Sequence, residues 1–176
     1  MSTALATSPA SSTLPMHTIS VLVRNQPGVL VRVSLVFARR GYNIESLVVS
    51  PEVTNGDFSR MTITCSGDAG TLEQISKQLT KLVDVVHAID HTGQPVVEAE
   101  IALLKLRVEL GARTEILQIA EHYKAKVVDY GTDSLILQVH GDSEKLDSLL
   151  GLLRPFGVVE LVRSSKILMA RGPQTT

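Results

Sequence analysis

The sequence predicts an α+β fold made of two tandem ferredoxin-like modules, each with the element order β-α-β-β-α-β. Three observations carry this prediction. Strand-period and helix-period hydrophobic patterns alternate in that order over residues 16–91. The same order returns after roughly eighty residues. Between the two runs lies Thr92-Gly93-Gln94-Pro95, a turn-forming stretch without periodicity.

In the first module, Ile19, Val21 and Val23 alternate with Thr18, Ser20 and Arg24, which is a strand with one buried face. Asn25-Gln26-Pro27-Gly28 is a turn. Val29, Val33, Val36 and Phe37 then recur at helical spacing, and Gly41 ends that helix. A strand runs from Ile44 to Ser50, closed by Pro51, and Asn55-Gly56 signals a hairpin. Met61, Ile63 and Cys65 alternate with Arg60, Thr62 and Thr64 in the next strand. Asp68 is placed to cap a second helix with Leu72, Ile75 and Leu79 on one stripe. The last strand is expected over Leu82 to Ile89.

The second module repeats the scheme. A strand is expected from Glu100 to Val108, then a helix carrying Ile116, Leu117, Ile119, Ala120 and Tyr123 on one face. Val127 to Tyr130 and Leu135 to His140 are two strands around Gly131-Thr132-Asp133. A helix starting at Asp142 or Ser143 carries Leu146, Leu149, Leu150 and Leu153. A final strand covers Val158 to Arg163 and is extended toward Met169. The expected organisation is a disordered tail over residues 1–15, modules over 16–91 and 99–171, a linker over 92–98 and a frayed end over 172–176.

Bulk properties narrow the function. The chain has 176 residues and a formal net charge of −1, so no electrostatic case exists for nucleic acid or a membrane surface. Hydrophobic residues make up 44%, but aromatics only 3% with no Trp, so the cores are aliphatic. The single Cys65 precludes an internal disulfide framework and fits a reduced, inert thiol in a cytoplasmic protein. No stretch reaches the roughly 18 apolar residues of a membrane span.

Catalytic signatures are lacking. There is no G-x-S-x-G, no P-loop and no G-x-G-x-x-G. His87 and His91 are read as lying on or just after a strand, where four residues span about 13 Å, too far to share a metal ion. Glu98 and Glu100 read as a solvated strand edge. The small basic pairs, Arg39-Arg40 and Arg163 with Lys166, read as solvated surface.

What the first module does offer suits a free aliphatic amino acid. Such a ligand needs donors for its carboxylate, acceptors for its ammonium group and a modest apolar pocket. The start of the first helix presents N–H groups without helical partners, and its dipole favours an anion there. Gly28 opens that backbone to a ligand. Asn25 and Asn43 each carry an acceptor and a donor, and Val29, Leu30 and Ile44 can line a tail pocket. The glycine-started helix and the Asn-bearing strand are read as lying side by side at one edge of the module. The same segments also read simply as a turn and a helix stop. A bare sheet edge and a thin core favour a two-fold homodimer through this module.

Three motifs in order carry a resemblance. They are Arg40-Gly41-Tyr42-Asn43-Ile44-Glu45-Ser46-Leu47, Ser59-Arg60-Met61-Thr62-Ile63 and Lys77-Gln78-Leu79-Thr80-Lys81-Leu82-Val83-Asp84-Val85. With them, the first module resembles an ACT domain, an amino-acid-sensing unit, and residues 16–171 resemble the small regulatory subunit of acetohydroxyacid synthase (acetolactate synthase). The resemblance implies a chain without catalytic or metal-binding residues and without a cofactor of its own. It implies a large catalytic subunit as partner, carrying thiamine diphosphate, Mg and FAD. It also implies activation of that subunit and feedback inhibition by valine, or by leucine or isoleucine, in branched-chain amino acid biosynthesis. The effector residues it implies are Asn25, Gly28, Val29 and Leu30 from one protomer with Asn43 and Ile44 from its partner. The second module is implied to contact the catalytic subunit.

Other readings are a free-standing sensor of the same type acting on a different enzyme, an RNA-binding module, and an independent enzyme. The RNA reading needs exposed aromatics on the central strands, where only Phe58 is present, near an end.

Overall fold

The computed structural model describes residues 15–53, 56–109, 111–173 and 176. The first module comprises β1 (Met16–Arg24), α1 (Val29–Ala38), β2 (Ile44–Pro51), β3 (Phe58–Ser66), α2 (Ala69–Leu79) and β4 (Val85–Asp90). The second comprises β5 (Val96–Arg107), α3 (Arg113–His122), β6 (Lys126–Tyr130), β7 (Ser134–Gly141), α4 (Ser143–Leu153), a 3₁₀ turn at Arg154–Phe156, β8 (Val158–Arg163) and β9 (Ile167–Ala170). The two predicted ferredoxin-like modules are present. Their sheets share one strand order, β2-β3-β1-β4 and β6-β7-β5-β8, every pairing antiparallel.

Alternation explains which faces are covered. In the first module Ile19, Val21, Val23, Met61, Ile63 and Cys65 point to the helices, where Val33, Phe37, Leu72, Ile75 and Leu79 meet them. In the second, Leu104, Leu106, Leu135 and Leu137 meet Ile116, Leu146, Leu149 and Leu153. Burying each such side chain contributes about 1.5–3 kcal/mol relative to exposure. Asp142 is the N-cap of α4, its carboxylate accepting from the Lys145 N–H at 2.8 Å. Burial pushes the Cys65 thiol up to about 11, with Asp90 and Glu45 adding to it, so the thiol stays protonated.

Several boundaries differ from those expected. β4 begins at Val85 rather than Leu82, because Leu82 N–H and Val85 N–H close turns on Leu79 and Leu82 carbonyls. The stretch read as linker over 92–98 is strand from Val96 onward: β5 extends there to pair with β9. β8 does not run on toward Met169. It stops at Arg163, and β9 is a separate strand on the opposite reach of β5. Thr176, placed in the frayed end, is 3% exposed, and its hydroxyl accepts from the Ala170 N–H at 2.8 Å. Residues 1–14 of the expected tail, Asn55 of the hairpin signal and residues 174–175 lie outside the described residues.

The modules meet through β2. The Ser165 hydroxyl, between β8 and β9, donates to the Leu47 carbonyl at 3.3 Å. The basic residues read as solvated are engaged there: Arg163 binds Glu100 and Asp147, and Lys166 binds Glu98 at 3.0 Å. Glu100 is buried and also accepts from the Ser143 hydroxyl, and its hydrogen bond raises the Arg163 guanidinium above its ordinary range.

Candidate functional site

The β1–α1 turn is built by local geometry. Asn25 N–H donates to the Asp57 carbonyl at 2.7 Å, and the Asn25 amide donates to the Gly56 carbonyl at 3.2 Å. Its side-chain oxygen thereby keeps a fixed orientation as an acceptor. Gly28 follows at φ 84°, a left-handed conformation that glycine adopts freely. α1 then starts without a side-chain cap and without an acidic residue in its first turn. Arg32 N–H makes the first helical bond, to the Gly28 carbonyl at 3.1 Å, so the N–H groups ahead of it have no helical acceptor. The Val29 N–H is turned back to the Gln26 carbonyl at 3.4 Å.

Arg32 is a residue that sequence reasoning passed over. It lies one helical turn beyond Gly28, and a Cβ at Gly28 would sit 3.4 Å from its guanidinium. Asp84, from the turn before β4, holds Arg32 Nε at 2.7 Å. The open end of α1 therefore carries a guanidinium, paired with Asp84, beside N–H groups that lack a helical acceptor, and the helix dipole there favours an anion. The spacing from Gly28 was visible in the sequence, but Asp84 is 52 residues away. A polar hollow of about 440 Å³, lined by Arg24, Asn25, Gln26, Gly56, Asp57 and Phe58, adjoins this turn.

The other expected site residues fall differently. Val29 does not line a pocket with its side chain: it is 2% exposed and packs in the core with Val33 and Phe37. Leu30 is 41% exposed beside the turn. Asn43 is exposed, and Ile44 is half-buried against the first core. Asn43 and Ile44 are not beside Gly28 in one chain. α1 has 10 residues, about 15 Å of helix, between the two groups. The sheet register separates them as well, since Ile44 lies level with Cys65 and His17, whereas Arg24 lies level with Phe58. One protomer therefore carries the two expected groups of site residues at opposite ends of its sheet.

The group at the start of β2 abuts the second module. Ile44, Glu45, Ser46 and Leu47 form one wall of a cleft of about 710 Å³ whose other wall includes Glu100 and Arg163. The start of β2 therefore faces the Glu100–Arg163 ion pair of the other module across this cleft.

Comparison with known proteins is consistent along the chain. A family model described as the AHAS small subunit-like ACT domain matches residues 19–87, and one described as the small subunit of acetolactate synthase matches residues 99–172. The acetolactate synthase small subunit of Mycobacterium leprae is 42% identical over 161 residues, covering 92% of this chain and 95% of that protein. That of Mycolicibacterium smegmatis is 43% identical over 164 residues, covering 93% and 96%. The crystal structure of the acetolactate synthase small subunit from Thermotoga maritima superposes with a TM-score of 0.81 at 35% identity, covering 92% of this chain and 100% of that one.

Proposed function

We propose, from the premise that this chain belongs to the acetolactate synthase small-subunit family, that it senses a branched-chain amino acid and transmits its presence to the catalytic subunit. Its family makes it the small, regulatory subunit of acetolactate synthase, one that works with a catalytic large subunit. Valine is the effector we assign, with leucine and isoleucine as competitors for the same pocket.

The observation that carries this reading is the separation of the half-sites. One end of the first sheet offers helix N–H groups without helical acceptors, the Asp84-paired Arg32 and the Asn25 acceptor. The other offers the Asn43 carboxamide beside the apolar Ile44. β2 is an edge strand. A second copy aligned antiparallel along that edge brings the start of its β2 to the end of this one, where Pro51 lies level with Ser59 beside the Asn25 turn. The two halves then enclose one small zwitterion, with its carboxylate on the α1 end, its ammonium on the carboxamide oxygens and its tail between Leu30 and the partner's Ile44.

Regulation follows from where β2 leads. Ligand binding sets the position of β2, which Ser165 grips and which forms one wall of the cleft whose other wall carries the Glu100–Arg163 cluster. A coupling of about 1–3 kcal/mol between the site and the catalytic subunit gives a 5- to 150-fold effect. The chain supplies no chemistry of its own in this account. The thiamine diphosphate, Mg and FAD belong to the large subunit.

Calorimetry with valine on the native chain and on Gly28→Asp tests the site. The added carboxylate meets the ligand's own, so binding is expected to fall by at least about 100-fold. Unchanged affinity in the variant removes the assignment. Activity of the cognate large subunit, assayed with and without this chain across the three amino acids, tests the regulatory role.

A further inference from the structure

Each sheet has one face covered by helices and one that is not. In the first sheet the uncovered face carries Ser20, Thr62 and Thr64, all buried by their neighbours. The second sheet differs. Alternation along β5 turns Ala102, Leu104 and Leu106 to the helices and Ile101, Leu103 and Lys105 away from them. Across the ladder, Leu103 is level with Val162 and Lys105 with Glu160. Ile101 and Leu103 are each 42% exposed and Val162 is 57% exposed. A hollow of about 150 Å³, lined by Leu103, Lys105, Ile136, Glu160 and Val162, marks the centre of this face. Lys105 and Glu160 form no ion pair among the described residues.

We propose that this face is a homotypic interface, on which a second copy of the chain packs the same sheet face about a two-fold axis running parallel to the strands, midway between β5 and β8. Sheets stacked in this way lie about 10 Å apart with their side chains interdigitated. The rotation exchanges the lateral positions of β5 and β8 and leaves each residue at its own level along the strand. Leu103 therefore lies over the partner's Val162, and Lys105 over the partner's Glu160. The charges answer each other twice, once on each side of the axis, and the apolar pair does the same. This self-complementarity is what an isologous contact requires, and it is the ground on which a second copy is assigned as the occupant. The contact is separate from the pairing of first modules, so the chain has two ways of meeting itself.

The test is sedimentation velocity of the full chain over a range of concentrations, for the native protein, Lys105→Glu, Glu160→Lys and the double charge swap. Each single reversal places two like-charge pairs across the axis. The concentration at which the largest assembly dissociates is expected to rise by about tenfold or more. The double swap restores the opposite signs and is expected to return to within about threefold of native. Val162→Asp, which puts a carboxylate into the apolar pair, is expected to weaken assembly independently of the charge pair. Valine binding, followed by calorimetry, stays unchanged in all four variants. Single reversals and Val162→Asp that dissociate at the native concentration overturn the proposal, as does a double swap that folds but fails to restore assembly. Variants that leave self-assembly intact and instead weaken capture of the catalytic subunit assign this face to that subunit and overturn the proposal equally.

Discussion

The two sheets share a strand order and differ in the faces their helices leave open. The first carries short hydroxyl residues, Ser20, Thr62 and Thr64, at the centre of its open face, beside the half-buried Leu22, Val48 and Ile89. Ser46 and Thr64 bond to each other, and Ser20 bonds the His91 ring at 2.7 Å. The second leaves Ile101, Leu103 and Val162 in contact with solvent. Binary alternation dictates the common fold, because only the helix-facing residues need be apolar. The residues on the other face are then free to diverge, and there the modules divide their work. In the first, the proposed sensing site uses an edge strand and a helix start. In the second, exposed apolar residues lie on the face proposed for a second copy.

The largest effects should come from breaking either core separately. Ile63→Ala and Leu104→Ala each remove a side chain with 0% exposure. Each is expected to destabilise its own module by about 2–5 kcal/mol in urea unfolding. If the modules respond as distinct units, only Ile63→Ala accelerates labelling of Cys65, which reports on the first core. Equal acceleration by Leu104→Ala would mean that the two cores unfold as one.

A smaller effect is expected where the modules join. Glu100→Gln removes the charge that pairs with Arg163 while leaving Arg163 its contact to Asp147. A hydrogen bond to a charged group is worth about 1.5–3 kcal/mol, which sets the expected loss of stability. If β2 transmits through this cluster, the variant also weakens valine inhibition of the complex while leaving valine affinity in place. Loss of stability with inhibition intact would confine the cluster to a structural role.

The smallest effect concerns pH and the first module alone. Burial holds the His91 imidazole below its ordinary 6.5, although Asp90 pulls the other way. The folded state therefore binds fewer protons here than the unfolded chain does. The His91 contribution to stability is complete above 6.5 and is lost as pH falls from there through the depressed native value. His91→Gln is expected to flatten the decline in first-module stability between neutral and mildly acidic pH. An unaltered profile would place the acid sensitivity elsewhere.

Most of the fold was legible in the sequence because it rests on local periodicity. The stripe of Val29, Val33 and Phe37 is itself the signature of a core-facing helix, and that reading prevailed over a ligand-lining role for Val29. What escaped depends on distant partners. Val96 and Val97 follow a proline and resemble a linker, yet they are strand because Ala170 and Met169 pair with them. Leu82 extends an apolar run but closes a turn through its backbone. Arg32 acquires meaning only beside Asp84. Gly28 and Asn43 are near in sequence, but the helix between them carries them to opposite ends of the sheet.

Separated half-sites permit a decisive mixing experiment. Gly28→Asp damages one half-site and Asn43→Ala the other, so neither variant alone should bind valine with native affinity. Unfolding and refolding the two together yields mixed dimers in which one site carries both lesions and the other carries none. The account predicts that calorimetry on the mixture recovers native-affinity valine sites at about a quarter of the native number, the proportion set by random pairing of two-fold dimers. Mixed dimers that form and yet recover no native-affinity site would contradict it.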